Sequence, residues 1–269
     1  MKRQQARVEV RPGLHLAYAS QGDTSGPAVV FFPGPTDSWR SYAAVLDHFP
    51  PSVHAVAVSA RGHGDSDKPE AGYTVQDYAA DVVPFLTAIG LRRVVLAGHS
   101  ASCLVVRRVA AESPGRVAGL VLEASPLTLY RHPEMEDFVA TAVSNLSDPV
   151  SPGFVRTYLT GSAPRAQEPA AFETHVEQLL KVPARVWQGT FGGLVEYDDA
   201  GLLGRIQAPT LLLWGEADRR VGLLEQEALA TAIPHAELRV YPDVGHIPRM
   251  EDPSRFAADV TGFVTSVAA

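Results

Sequence analysis

Three separated stretches of this chain hold the residue types needed for acyl transfer. In Gly98-His99-Ser100-Ala101-Ser102, a serine follows the apolar run Val94-Val95-Leu96-Ala97 and precedes a helix-compatible stretch. A serine at such a strand-to-helix corner stands clear of the backbone, with the N–H of the next residue beside it. Its hydroxyl is a poor nucleophile near neutral pH and needs a base. The stretch Leu211-Leu212-Leu213-Trp214-Gly215-Glu216-Ala217-Asp218 ends an apolar run in a loop that presents Asp218. The stretch Tyr241-Pro242-Asp243-Val244-Gly245-His246 ends the next run in a loop that presents His246. In the order Ser, Asp, His, the histidine would take and return the Ser100 proton. The aspartate would fix the imidazole tautomer and stabilise its charged form.

The elements that must position these loops follow from apolar periodicity. Arg7 to Arg11 and His15 to Ala19 alternate in polarity around Pro12-Gly13 and read as an antiparallel hairpin. The continuous apolar run at 28–32 reads as a strand covered on both faces, and the stretches at 53–59, 94–97, 117–122, 210–214 and 238–241 continue the series of strands. Helix-period stretches at 39–48, 75–90, 103–112, 223–233 and 253–267 lie between them. This alternation predicts an α/β protein with a mostly parallel sheet flanked by helices. All three chemical loops then follow the C-terminal ends of strands in one sheet, where such folds build their sites.

One segment breaks the rhythm. From about Pro126 to Gly204 no buried strand is evident, and prolines at 133, 149, 152, 164, 169 and 183 divide short helical stretches. A structureless loop of that length is improbable. The expected organisation is a core of residues 1–126 and 205–269, with a mainly helical cap over residues 127–204.

Bulk properties narrow the classes of partner. The chain has 269 residues, a formal net charge of −7 and no basic stripe, which argues against a nucleic-acid partner. Cys103 is the sole cysteine, so no internal disulfide forms, and a cytoplasmic location is expected. The polar start Met1-Lys2-Arg3-Gln4-Gln5 leads into no apolar signal region, and no run approaches the ~20 apolar residues of a membrane span. No His/Cys spacing suits a metal.

With these motifs together, the chain resembles the α/β-hydrolase fold superfamily, in its esterase, lactonase and perhydrolase-like branch. The resemblance runs over nearly the whole length. It includes the loops Gly34-Pro35-Thr36-Asp37-Ser38-Trp39 and Arg61-Gly62-His63-Gly64-Asp65-Ser66. Related dehalogenases and epoxide hydrolases carry aspartate where this chain has Ser100. The resemblance implies Ser100, Asp218 and His246 as catalytic residues, no cofactor, and a small ester or lactone as substrate. Two positions depart from the family pattern. Ser102 replaces the last glycine of G-x-S-x-G, a small residue in a crowded turn. Pro35 stands where the family's oxyanion loop has a residue with an N–H, and proline has none. Ala101 N–H would remain as one donor, with Thr36 (N–H or hydroxyl), Gly34 N–H or a water supplying the other.

Other residues are weighed against simpler roles. Trp39, Tyr130, Trp187 and Phe191 are the candidates for an apolar substrate wall, whereas Phe32 reads as core. Glu123 ends a neighbouring strand and is an alternative acid, read as structural. His99 reads as packing, Cys103 as a small core residue, and His63 with Asp65 as a turn. Two rival functions stay open: a ligand-binding or signalling protein with slow turnover, and a non-hydrolytic lyase or cyclase using the same cavity.

Overall fold

A computed structural model describes residues 3–161 and 169–268. Eight strands form one sheet: β1 Gln4–Arg11, β2 Leu14–Gln21, β3 Ala28–Phe32, β4 His54–Val58, β5 Val94–His99, β6 Val117–Glu123, β7 Thr210–Gly215 and β8 Ala236–Tyr241. Their spatial order is β1-β2-β4-β3-β5-β6-β7-β8. The β1–β2 and β2–β4 pairings are antiparallel, and every later pairing is parallel. This is the doubly covered α/β sheet expected from the alternation of apolar runs.

Residues of β3, β4, β5 and β7 are buried throughout because side chains on both faces meet helices. The period of two sorts them. Val30, Val56, Leu96 and Leu212 point into one core, with the helices α2 Val75–Ala88 and α3 Ser102–Glu112. Val29, Phe31, Ala57, Val95 and Leu213 point into the other, with the short α1 Ala43–Leu46 and the C-terminal helix α11 Pro253–Ala268. Between β6 and β7 lie α4 Pro133–Thr141, α5 Pro152–Thr160, α6 Pro169–Leu180, α7 Ala184–Val195 and α8 Ala200–Leu203. After β7 comes α9 Leu223–Ala232, and α10 Pro248–Glu251 precedes α11.

Helix boundaries have local causes. Thr74 and Asp77 form a reciprocal capping box that starts α2. Pro84 lies inside α2, and its missing N–H leaves the carbonyl of Ala80 without the usual helical donor. Arg11 from β1 fills that vacancy with an Nη2 bond of 2.7 Å. The stretch read as one helix over 39–48 is a 3-10 turn, Trp39–Tyr42, running into α1.

The inserted segment is fastened to α3 by buried charge. Arg107 of α3 is fully buried and forks onto Asp199 at 2.8 and 2.9 Å, with a further bond to the Pro126 carbonyl at 2.9 Å. Removing either partner would leave a buried charge unpaired, which is strongly destabilising.

Candidate active site

Ser100 is placed by a strained corner. It follows β5 with φ of 53°, a left-handed conformation that costs a non-glycine residue energy and persists only where surroundings hold it. Its N–H donates to the Glu123 carbonyl at 2.8 Å, and its carbonyl accepts from Cys103 N–H at 2.9 Å. The corner admits no side chain at position 98, because a Cβ on Gly98 would lie 2.9 Å from the backbone of Cys103 and of Ser102. Ser102 fits the departure from glycine by turning its hydroxyl onto the Pro33 carbonyl at 2.5 Å, so it ties the corner to the loop after β3.

The other two loops bring their side chains to this corner. His246 Nδ1 lies 2.8 Å from Asp218 Oδ2, and His246 Nε2 lies 3.0 Å from Ser100 Oγ. A carboxylate only accepts, so Nδ1 carries the proton and Nε2 is the acceptor for the serine hydroxyl. Asp218 is fixed by its other oxygen, which accepts the N–H groups of Arg220 at 2.8 Å and Val221 at 3.2 Å. His246 is fixed by its backbone, whose carbonyl accepts from His99 Nε2 at 2.9 Å. His99 is thus a support for the histidine loop, and burial drives its basicity well below the ordinary imidazole value. A Cβ at Gly34 would come within 2.8 Å of the His99 Nδ1, so only glycine fits there without a shift.

Glu123 takes no part in this line. Its buried carboxylate accepts from Arg249 N–H at 2.9 Å, from Arg249 Nη1 at 3.1 Å and from the Tyr42 hydroxyl at 3.2 Å. Arg249 also reaches Asp37 at 3.3 Å, and Asp37 meets His175 of α6 at 3.1 Å. Burial pushes the Asp37 carboxyl up, but His175 and Arg249 overcome it and hold it at about 2. Cys103 is a core residue whose thiol points at the Gly98 carbonyl, and burial pushes it up to about 12.

The loop after β3, expected to supply an oxyanion donor at Thr36, engages that N–H elsewhere. The Thr36 φ of 67° turns its N–H onto His63 Nε2 at 2.9 Å, while His63 Nδ1 donates to the Arg61 carbonyl at 2.7 Å. The Thr36 N–H is therefore spoken for, and its hydroxyl donates to the Pro35 carbonyl at 2.5 Å. Ala101 N–H, at the foot of α3, has no acceptor among the described residues.

His63 also sets a pH response. Burial lowers it to about 4 in the folded chain, against an ordinary 6.5. Below 6.5 the unfolded chain takes up a proton that folded His63 refuses until about pH 4. Its stabilising contribution is therefore full above 6.5 and is lost as pH falls toward 4, by on the order of 3 kcal/mol. Denaturant unfolding at pH 7.5, 5.5 and 4.5 should show this slope, and the His63→Gln variant should show a shallower one. Equal slopes would remove His63 from the account.

A cavity of about 480 Å³ opens at Ser100, Ala101, Pro35 and His246. Its walls come from the inserted helices, with Phe138, Phe154, Tyr158 and Phe191, and from Leu129 and Val221. Of the four aromatic residues expected there, only Phe191 lines it. Trp39 is 3 % exposed and packs in the second core beneath the Arg40 guanidinium, 4.7 Å from the ring centroid. Tyr130 lies at the surface, 37 % exposed beside Arg131. Trp187 is fully buried behind the wall, stacked on Phe191 at 5.8 Å. The wall residues Phe138, Phe154 and Tyr158 went unread in the sequence, where they look like ordinary apolar positions of short helices. Among the described residues, no three His, Cys, Asp or Glu side chains are gathered as a metal would need. No helix there is long and apolar enough to cross a membrane.

The sheet order, the corner and the loops at the strand ends define a known class of fold. A family model described as the alpha/beta hydrolase fold matches residues 27–253, and the chain belongs to that family. It is 25% identical to a putative 2-succinyl-6-hydroxy-2,4-cyclohexadiene-1-carboxylate synthase of Bacillus subtilis, covering 97% of this chain and 98% of that one. It is 25% identical to the 2-(acetamidomethylene)succinate hydrolase of Mesorhizobium japonicum, over 89% and 88% of the two chains. Among solved structures, an N-acyl homoserine lactone degrading enzyme is 28% identical with a TM-score of 0.79, covering 96% of this chain and 100% of that one.

Proposed function

We propose that this protein is a serine hydrolase of carboxylic esters or lactones, working through an acyl-enzyme on Ser100. The observation that carries this reading is the unbroken line from Ser100 Oγ to His246 Nε2 and from His246 Nδ1 to Asp218. As Ser100 attacks the carbonyl carbon, its proton passes to His246. The imidazolium so formed faces the Asp218 carboxylate, which stabilises it. His246 then protonates the leaving alcohol, and a water activated by the same nitrogen releases the acid. The cavity's size suits a small organic ester, and its aromatic walls suit an apolar group. The hydrolase and the lactone-degrading enzyme among its relatives support the same reaction class.

The test is fluorophosphonate labelling followed by peptide mass spectrometry, alongside a panel of p-nitrophenyl esters and lactones. The reading requires a single adduct on Ser100, and hydrolysis that disappears when Ser100 is labelled. Tight ligand binding without turnover, or a product formed without water, would replace it with one of the rival functions.

A further inference from the structure

Ala101 supplies one backbone donor for an oxyanion, and the usual second, at position 35, is missing. Ala101 N–H is available, position 35 is proline, and the Thr36 N–H is bound to His63. Loss of one such donor typically costs ~10²–10³ in turnover. A replacement must be a donor beside Pro35 and Ser100. Tyr158 and Pro35 together with Ser100 line both the 480 Å³ cavity and a smaller one of about 40 Å³ beside it.

The phenol is held on several sides. Its hydroxyl faces the Thr36 side chain. Its ring meets Trp187 edge-on at 5.1 Å and carries the Arg220 guanidinium 5.3 Å from its centroid. Arg220 Nη2 also donates to the Tyr158 carbonyl at 3.1 Å. Arg220 stands two residues beyond Asp218, so the loop that orients His246 also seats Tyr158. Burial raises the phenol above its ordinary value, although Arg220 and Thr36 oppose the shift, so it stays a proton donor in the working pH range.

We propose that the Tyr158 hydroxyl is the second oxyanion donor, in place of the N–H that Pro35 lacks. The proposal rests on the serine hydrolase reading above. In the attack, a bond forms between Ser100 Oγ and the carbonyl carbon, and the C=O π pair moves onto oxygen. The serine proton goes to His246 Nε2. Tyr158 donates a hydrogen bond to that oxygen and keeps its proton. The Thr36 hydroxyl, now directed at the Pro35 carbonyl, can turn to donate to the phenolic oxygen, which frees the phenol's hydrogen for the oxyanion. When the intermediate collapses, the C=O bond re-forms and the leaving group departs with the proton from His246. The donor then belongs to α5, so the hole is complete only while that inserted helix sits against the core.

The test compares the native chain with Tyr158→Phe on one p-nitrophenyl ester that the native chain hydrolyses. The variant should lose ~10²–10³ in kcat with little change in KM. Affinity for a trifluoromethyl ketone, which forms the tetrahedral adduct on Ser100, should fall by a similar factor. Affinity for the product acid should hold. A kcat within threefold of native overturns the proposal. So does a fall in kcat that comes with equal losses of ketone and product affinity, the pattern of a tyrosine that only shapes the cavity. If the native chain takes no fluorophosphonate on Ser100, the hydrolase reading fails and takes this proposal with it. A labelled native chain with an unimpaired Tyr158→Phe variant removes the tyrosine's role alone.

Discussion

Ser100→Ala and His246→Ala should each slow ester turnover by on the order of 10⁶, and the double variant should be no slower than either single one. The expectation follows from the 3.0 Å contact between the two side chains. Without the imidazole, the serine proton has no acceptor and the alcohol stays un-ionised. Without the hydroxyl, the imidazole has no proton to accept at that place. Both substitutions therefore remove one and the same step. Independent contributions would instead multiply, to about 10¹². Residual turnover in all three variants would come from the cavity and from the oxyanion donors, which the substitutions leave in place. Kinetics with an activated ester, corrected for background hydrolysis, reads this directly. A His246→Ala variant that keeps more than a hundredth of native kcat would mean another base serves Ser100. A double variant far slower than both singles would mean that the two side chains act in separate steps.

The parts of this site that sequence disclosed share one property: each follows the C-terminal end of a strand in the one sheet. Ser100 and Asp218 follow runs buried on both faces, which fixes their register, while His246 follows the edge strand β8, where only Tyr241 is buried, so the loop after each strand has a known address. The sheet and its flanking helices were legible for the same reason, down to the positions of β5 and β7. The oxyanion loop was legible only in its chemistry. Proline at 35 announces a missing N–H in any structure. That Thr36 would turn its own N–H away depends on a left-handed φ and on His63, twenty-seven residues further on. The inserted helices were the least legible. Their apolar positions say that helices form and bury a face, but not which face meets the sheet. Trp187 and Tyr130 were both plausible wall residues. One packs behind Phe191 and the other points outward, while Tyr158 reaches the oxyanion loop from a helix whose sequence carries no signal of it. Trp39 follows the oxyanion loop closely enough to suggest the cavity. The 3-10 turn that starts there rotates its indole into the core instead.

Asp218→Asn should lower kcat by about 10⁴ while leaving the fold intact. The two oxygens of Asp218 have different jobs. One accepts the backbone N–H groups of Arg220 and Val221, and the other accepts the proton on His246 Nδ1. An asparagine can keep the first job with its carbonyl oxygen, so the loop and Arg220's hold on α5 should persist. Its amide nitrogen then faces Nδ1 as a donor. The ring must answer by moving its proton to Nε2, where it points at Ser100 Oγ and can accept nothing. The loss is one of tautomer, so the thermal midpoint should stay near native while fluorophosphonate labelling slows in step with kcat. Asp218→Ala separates the two jobs, because it frees both backbone N–H groups and should lower the midpoint as well. A loss below tenfold in the asparagine variant would show that the carboxylate does not set the tautomer. Glu123 could not then serve as the substitute, since its carboxylate is bound to Arg249 and Tyr42. The imidazole would have to be oriented by its backbone bond to His99 alone, and His99 variants would carry the large kinetic effect instead.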